Sequence, residues 1–384
     1  MIQKNISDIV YADIKFLLEN KIDESDVLDY KVEMVKDQDL VKHVCAFANT
    51  RGGHIIFGVK ESGKGGYPTE INGLGTSDLN KERLEQIILS HIIPRLDVKI
   101  KSIEIPDSEK SILLIQIPDS YQKPHQSNLS KKFYKRFQFE SAEMTESEIS
   151  DRYRSRFSNY KQVNQYIKET LIDAKENTIT VNILVIPSNI EHRLIDASNY
   201  DQIEKLQSIS VSTNFGNTGL PNYRLQPFSH GLTSKSPFDT SSEELQIHRN
   251  GCVQYIYYYK MKEDTTIFLS YEHMAKKLMQ ILQFTNIILS DYNYFGDVKI
   301  IVTLTSSSKS AIPDREGNLY GIQSLDNLNS VIEREYSMYY VETKYEQITS
   351  SIMNEIFNHY GVFRCPLFDE NGNYDGYGGR KRKQ

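Results

Sequence analysis

Three carboxylates stand where phosphate chemistry could use them: Glu24 and Asp29, five residues apart, and Glu61, just after an apolar run. Clustered carboxylate oxygens suit hard divalent cations such as Mg2+ or Mn2+, and such ions stabilise phosphoryl transfer. The same acids could equally be solvated surface charge. On a regular strand an odd spacing puts Glu24 and Asp29 on opposite faces. They converge only if the strand begins after Ser25, with Glu24 in the turn before it. A second set is basic: Lys123, His125, Lys131, Lys132, Lys135 and Arg136 lie between Tyr121 and Phe139, a stretch without a single acid. Strand alternation groups Lys132, Tyr134 and Arg136 on one face, a cation–aromatic–cation row suited to a phosphate backbone and a stacked base. Lys135 adds charge to the same strand, and His125, after Pro124, is a further candidate phosphate contact. An edge strand that merely avoids aggregation would favour lysine too.

The elements that must hold these groups are legible from periodicity. Residues 8–20 read as an opening helix. Val27 to Met34 alternates, with Leu28, Tyr30, Val32 and Met34 on the buried side and Asp29, Lys31 and Glu33 as a charged row. Asp37 to Asn49 carries apolar residues at helical spacing, Gly52-Gly53 breaks it, and His54–Val59 reads as a strand covered on both faces. An amphipathic helix with Leu84, Ile88 and Ile92 ends at Pro94. Val98–Ile105 and Ile112–Ile117 form a hairpin, and Lys132–Phe137 is the basic strand. Thr145-Glu-Ser-Glu148 is a capping box that opens a charged helix reaching about Ile172.

The second half restarts with a strand at Ile179–Ile186. Residues 196–242 are polar without a clear period and read as long loops. A hairpin turns about Asn250-Gly251, a helix follows with Met274, Leu278, Ile281 and Leu282 on one face, and then comes a strand at Val298–Leu304. A last helix covers about 341–359. The fold class expected is α/β (α+β). A first domain spans 1–155, a connecting helix 156–177, a second α/β domain 178–365, and a flexible basic tail 366–384 ends in Arg380-Lys-Arg-Lys383.

Composition narrows the chemistry further. A net charge of -6 over 384 residues argues against a purely electrostatic nucleic-acid binder, so any such surface is a local patch. Three scattered cysteines build neither a disulfide framework nor a zinc site. With no apolar run near the ~20 residues of a membrane span and no leader-like N-terminus, a cytoplasmic protein is expected. Gly58-Val-Lys-Glu-Ser-Gly63-Lys64-Gly65 approaches a phosphate loop but lacks its Ser/Thr, and Gly66-Tyr67-Pro68 cannot open the helix that should follow. A turn is expected there, and ATP is not an expected ligand. No histidine pair at metal spacing and no G-x-S-x-G elbow is present.

Ala46-Phe-Ala-Asn-Thr-Arg-Gly-Gly-His-Ile-Ile-Phe-Gly-Val59, preceded by Glu24-Ser-Asp-Val-Leu-Asp29-Tyr-Lys31, resembles the Schlafen-group AlbA-type domain over about residues 20–155. That family carries "ES…EFK" before "AFANT-GG-x-x-x-x-GV". The resemblance implies an N-terminal mixed-sheet domain that binds RNA (tRNA-like) or DNA. It also implies a nuclease triad at Glu24, Asp29 and Glu61, which would bind Mg2+ or Mn2+, and Lys31 as a phosphate contact. A tyrosine–arginine pair in related families favours Arg136. Two positions depart from the pattern: Asp29 replaces a glutamate, and Lys60-Glu61 replaces an Asp-Asp pair. Animal Schlafens set two such lobes across a groove; with one lobe here, a homodimer is expected. The leading expectation is a metal-dependent endoribonuclease acting on structured RNA such as tRNA, in anti-phage defence. The alternative is a non-catalytic nucleic-acid-binding or regulatory module with a C-terminal sensing domain.

Overall fold

The computed structural model of the chain describes residues 6–375, apart from 64–65, 76–78, 121, 173–177, 192, 214–215, 221–222, 237–240, 261–266, 293, 295, 307–308, 314–318 and 326–327. Internal contacts divide the chain into two units, Met1–Lys161 with Asn293–Gly296, and Gln162–Tyr292 with Asp297–Gln384. No described helix is long and apolar enough to cross a membrane. Cys45, Cys252 and Cys365 are buried and free.

In the first unit α1 (Tyr11–Glu19), β1 (Leu28–Lys31), α2 (Asp37–Ala48) and β2 (Gly53–Phe57) follow in order. β3 (Val59–Glu61) and β4 (Pro68–Ile71) pair antiparallel, with a register shift at Lys60/Glu61. Next come α3 (Lys81–His91), β5 (Ile92–Ile93), β6 (Lys99–Glu104), β7 (Ser111–Ile117), β8 (Gln126–Ser127), β9 (Lys132–Phe137), β10 (Glu140–Glu143) and α4 (Glu146–Thr170). One sheet has the order β1-β2-β7-β6, and only its β1–β2 pair is parallel. A second has the order β10-β9-β8-β5.

Every residue of β2 is buried. Ile55 and Phe57 pack with Val44, Phe47 and Leu113, while Ile56 meets Ile14, Leu28, Tyr30 and Leu114. A two-residue period with cores on both faces explains why this segment is apolar throughout. The turn before it needs glycine. At Gly53, with φ of +141°, a Cβ would lie 2.3 Å from the Val27 carbonyl oxygen. That carbonyl accepts the His54 N–H at 2.9 Å. The missing side chain therefore lets β2 close onto the start of β1.

β1 is shorter than its alternating sequence suggests, and Leu28, Asp29 and Tyr30 are all buried. Asp29 is no part of a solvated row. Its face is covered from the α2 side, so alternation separates the two faces without exposing either.

The second unit holds the end of α4, whose Val163 and Ile167 pack with Leu184, Ile186 and Ile301. It continues through β11 (Thr178–Pro187), α5 (Tyr200–Gln207), β12 (Ser210–Thr213), β13 (Gly216–Gly219), β14 (Gln226–Phe228), β15 (Gly231–Lys235), β16 (Ser241–His248) and β17 (Val253–Lys260). β18 (Ile267–Phe268), α6 (Tyr271–Asp291), β19 (Asp297–Ser306), β20 (Ser310–Pro313), β21 (Leu319–Leu325), β22 (Leu328–Ser337) and α7 (Met338–His359) complete it. Its main sheet, β14-β15-β16-β17-β11-β19-β22, is antiparallel throughout.

Two expectations need correction here. Residues 196–242 are not simply long loops: they hold α5, capped by Asn199 accepting the Gln202 N–H at 3.1 Å, and four or more short strand segments. Polar elements this short display too few positions for a period to emerge. The start of the expected tail also folds, with Leu367 and Phe368 buried and Phe368 bridged to Tyr374. Arg380–Lys383 lies outside the described residues, as do Lys64 and Gly65 of the glycine-rich turn.

Candidate active site

Glu24 lies in the segment before β1, Asp29 lies on β1 and Glu61 closes β3. The Ser25–Leu28 bridge tightens the approach to β1, so Glu24 folds back along the strand instead of extending it. Its Oε1 accepts the Tyr30 N–H at 2.8 Å, and its own N–H donates to the Gly66 carbonyl at 2.8 Å. Glu24 and Asp29 are both buried, whereas Glu61 is exposed. Burial, then the hydrogen bond to Asp29 and its charge, with a contact from Glu61, raise the proton affinity of Glu24 well above the carboxylate range. The Tyr30 N–H opposes this and is outweighed.

Asp29 goes the other way. Burial alone would protonate it, but the charges of Lys31 and Arg136 and the hydrogen bonds from Glu24 and Lys31 hold it below its ordinary value. Lys31 Nζ lies 2.9 Å from Asp29 Oδ2 and 3.8 Å from Glu24 Oε1. Arg136 Nη2 lies 3.4 Å from Asp29 Oδ1 and donates to the Ser25 carbonyl at 3.1 Å. Its guanidinium sits 4.7 Å from the centre of the Phe47 ring, a contact that favours a desolvated cation. Of the two, Glu24 is therefore the carboxyl that favours a proton, and Asp29, between two cations, the one that favours a charge.

The four residues read as a triad and its lysine thus come together. The donor chemistry suits a hard cation, but the spacing does not. Among the described residues no three His, Cys, Asp or Glu side chains are arranged to hold a metal ion. The Lys31 ammonium stands close to both Asp29 and Glu24, where a cation would have to sit. As arranged, the cluster does not fit Mg2+ or Mn2+.

The basic row is corrected. Lys132, Tyr134 and Arg136 do share a face of β9, but Tyr134 and Arg136 are buried against α2. Tyr134 OH donates to Ser130 Oγ at 3.1 Å, and its ring receives Lys42, so no base can stack on it. Lys132 is exposed and pairs with Glu143 at 2.7 Å; Lys135 is half-buried and pairs with Glu148. The β10 and α4 acids that pair with them lie just beyond the acid-free stretch. His125 is wholly buried: its Nδ1 donates to the Pro94 carbonyl at 2.9 Å, and its Nε2 accepts from Ser120 Oγ at 2.7 Å. Burial depresses its pKa to about 4. Buried in this way, it presents no ring nitrogen to a phosphate in solvent.

Sequence reasoning also passed over three contributors. The buried Asn49 donates to the carbonyls of His125 and Tyr134, both at 2.8 Å, and accepts the His125 N–H at 2.6 Å. Thr50 Oγ1 donates to the Ala46 carbonyl at 2.8 Å and accepts the Arg136 N–H at 2.9 Å. These two residues fasten β9, and with it Arg136, to the end of α2. His43 lies 3.0 Å from Ser141 Oγ, and burial keeps it neutral, with a pKa near about 4, although Asp29 pulls the other way. Polar residues at a helix end inside an apolar motif were the available signal for the first two.

Residues 24–145 match the family model described as Schlafen, AlbA_2. Curated proteins gave no match. Among solved structures, the chain is similar to the N-terminal domain of a RecG-related protein from Nitrosomonas europaea. That match has 21% identity and a TM-score of 0.27, and it covers 34% of this chain and 90% of that one. It is also similar to the DIP2311 protein from Corynebacterium diphtheriae, at 17% identity and a TM-score of 0.27, over 42% of this chain and 35% of that one. The matched segment begins at Glu24 and contains every residue of the carboxyl–lysine cluster: over residues 24–145 the chain carries a Schlafen AlbA_2 domain.

Proposed function

We propose that the first unit is a nucleic-acid-binding domain that cleaves structured RNA, such as tRNA, at the cluster of Glu24, Asp29, Lys31 and Glu61. The AlbA_2 family supports a nucleic-acid-related role. The observation that carries the finer reading is the convergence of three carboxyls and an ammonium from three separate segments. Carboxyls whose proton affinities are driven apart suit opposite tasks. In this reading Glu24, which holds a proton, donates it to the leaving oxygen. Glu61, the solvent-facing carboxylate, accepts one from the attacking hydroxyl. Lys31 neutralises charge that develops on the phosphoryl oxygens, and Asp29 with Arg136 fixes Lys31 in position.

Incubating tRNA, unstructured RNA and DNA with the protein tests this, with Mn2+ in one arm and a chelator in another. Cleavage of tRNA that Glu24→Gln and Glu61→Gln abolish is the expected result. Binding without cleavage in every arm would favour a non-catalytic module, the reading supported by Asp29 lying buried between Lys31 and Arg136 as a structural ion cluster. A homodimer and a role in anti-phage defence belong to the same proposal; light scattering against the 44.4 kDa chain mass tests the first.

A further inference from the structure

Phe137 ends β9, and Phe139 lies in the two-residue turn that leads to Glu140 at the start of β10. Both are exposed, at 62% and 52%. Gln138 between them adopts φ of +55°. Tight hairpin turns of this length favour Asn, Asp or Gly, so turn chemistry does not account for Phe139. Position does. A Cβ built on Gly66 would lie 3.6 Å from Phe139 Cε1 and 3.6 Å from Glu24 Cβ, which sets the Phe139 ring on the rim of the carboxyl cluster. Lys135 Nζ stands 5.8 Å from the centre of the Phe137 ring.

We propose that Phe137 and Phe139 form a stacking platform for an unpaired nucleobase whose adjoining phosphate lies at the Glu24–Lys31 cluster. The inference rests on the nucleic-acid reading above and names the part of the substrate that the domain grips beside the reacting phosphate. Aromatic faces accept any base, and a nearby ammonium holds the backbone. Flexible, unpaired nucleotides fit such a platform and paired ones do not, so the cluster would act at loops and single-stranded ends of a folded RNA. Tyr134, the aromatic that alternation singles out, is buried and cannot serve; these two residues take its place.

The chain contains no tryptophan, so Phe139→Trp introduces a single fluorescent reporter. Titrating this variant with a short single-stranded RNA should quench its emission. The Phe137→Ala/Phe139→Ala double variant should bind the same RNA about tenfold more weakly. An abasic strand of equal length, which keeps every phosphate, should bind the wild type and the double variant alike. Wild-type binding with an unquenched reporter and an unaffected double variant overturns the platform while leaving the nucleic-acid reading intact. So does an equal loss on the abasic strand, or a double variant whose only change is a shift from dimer to monomer. Failure of the wild type to bind any strand overturns both.

Discussion

Glu24 and Asp29 share a hydrogen bond but not a protonation state, because two cations sit against one of them and none so closely against the other. This has a measurable consequence for stability. With its folded-state pKa raised, Glu24 contributes stability that is full below the ordinary glutamate range and is lost as pH rises through the raised value. Asp29 contributes in the opposite sense: its share is present above the ordinary aspartate range and is lost as pH falls through its lowered value. Thermal melts of the wild type between about pH 6 and 9 should therefore slope downward, and Glu24→Gln should flatten that slope. An identical slope in both proteins would mean that Glu24 ionises normally. Lys31 can be examined separately. Its replacement by Met removes the ammonium that stands close to both carboxyls, so calorimetric titration with Mn2+ should show tighter binding by Lys31→Met than by the wild type. Equal affinities would show that the lysine does not exclude a cation. At this scale the sequence carried the identities of the cluster residues, including the condition that Glu24 sit in the turn before the strand. It could not carry the burial of Asp29 or the inward turn of Arg136, since both depend on α2 packing across the sheet.

Between single residues and the domain, the capping and turn chemistry did much of the positioning. Thr145 and Glu148 form the expected box, with the Thr145 N–H donating to Glu148 Oε2 at 2.9 Å, and the Gly52-Gly53 turn ends α2 where the pattern places it. These features were legible because each is local. The β9 row was misread because alternation groups residues by face but cannot say which face a helix elsewhere in the chain will cover. Asn49 makes the same point, since its two partner residues, His125 and Tyr134, lie 76 and 85 residues away. Asn49→Ala would leave two buried carbonyls and one N–H without their partner and should cost about 3 kcal/mol in chemical denaturation. A loss below about 1 kcal/mol would mean that the two elements stay joined without it.

Over the whole chain, acidic charge predominates, at -6, so attraction to a polyanion must come from a small part of the surface. Lys132 and Lys135 are the members of the basic strand that keep solvent access, and acids that a phosphate would displace neutralise both. Changing both to Glu should weaken RNA binding for every sequence alike and make the logarithm of affinity fall less steeply with salt. An unchanged salt slope would move the binding surface elsewhere. The two units were legible as separately patterned α/β segments, whereas the second unit's short polar strands were not, because their pairing partners are distant in sequence. The Asn49–Thr50 fastening also sets a timescale. The His125 and Arg136 amides are held by side-chain oxygens, at 2.6 and 2.9 Å. Exchange of these two amides with deuterium should therefore proceed in step and slowly, as one cooperative opening. Their common rate would clock how often the strand carrying Arg136 and the aromatic turn comes away from the helix end that anchors it.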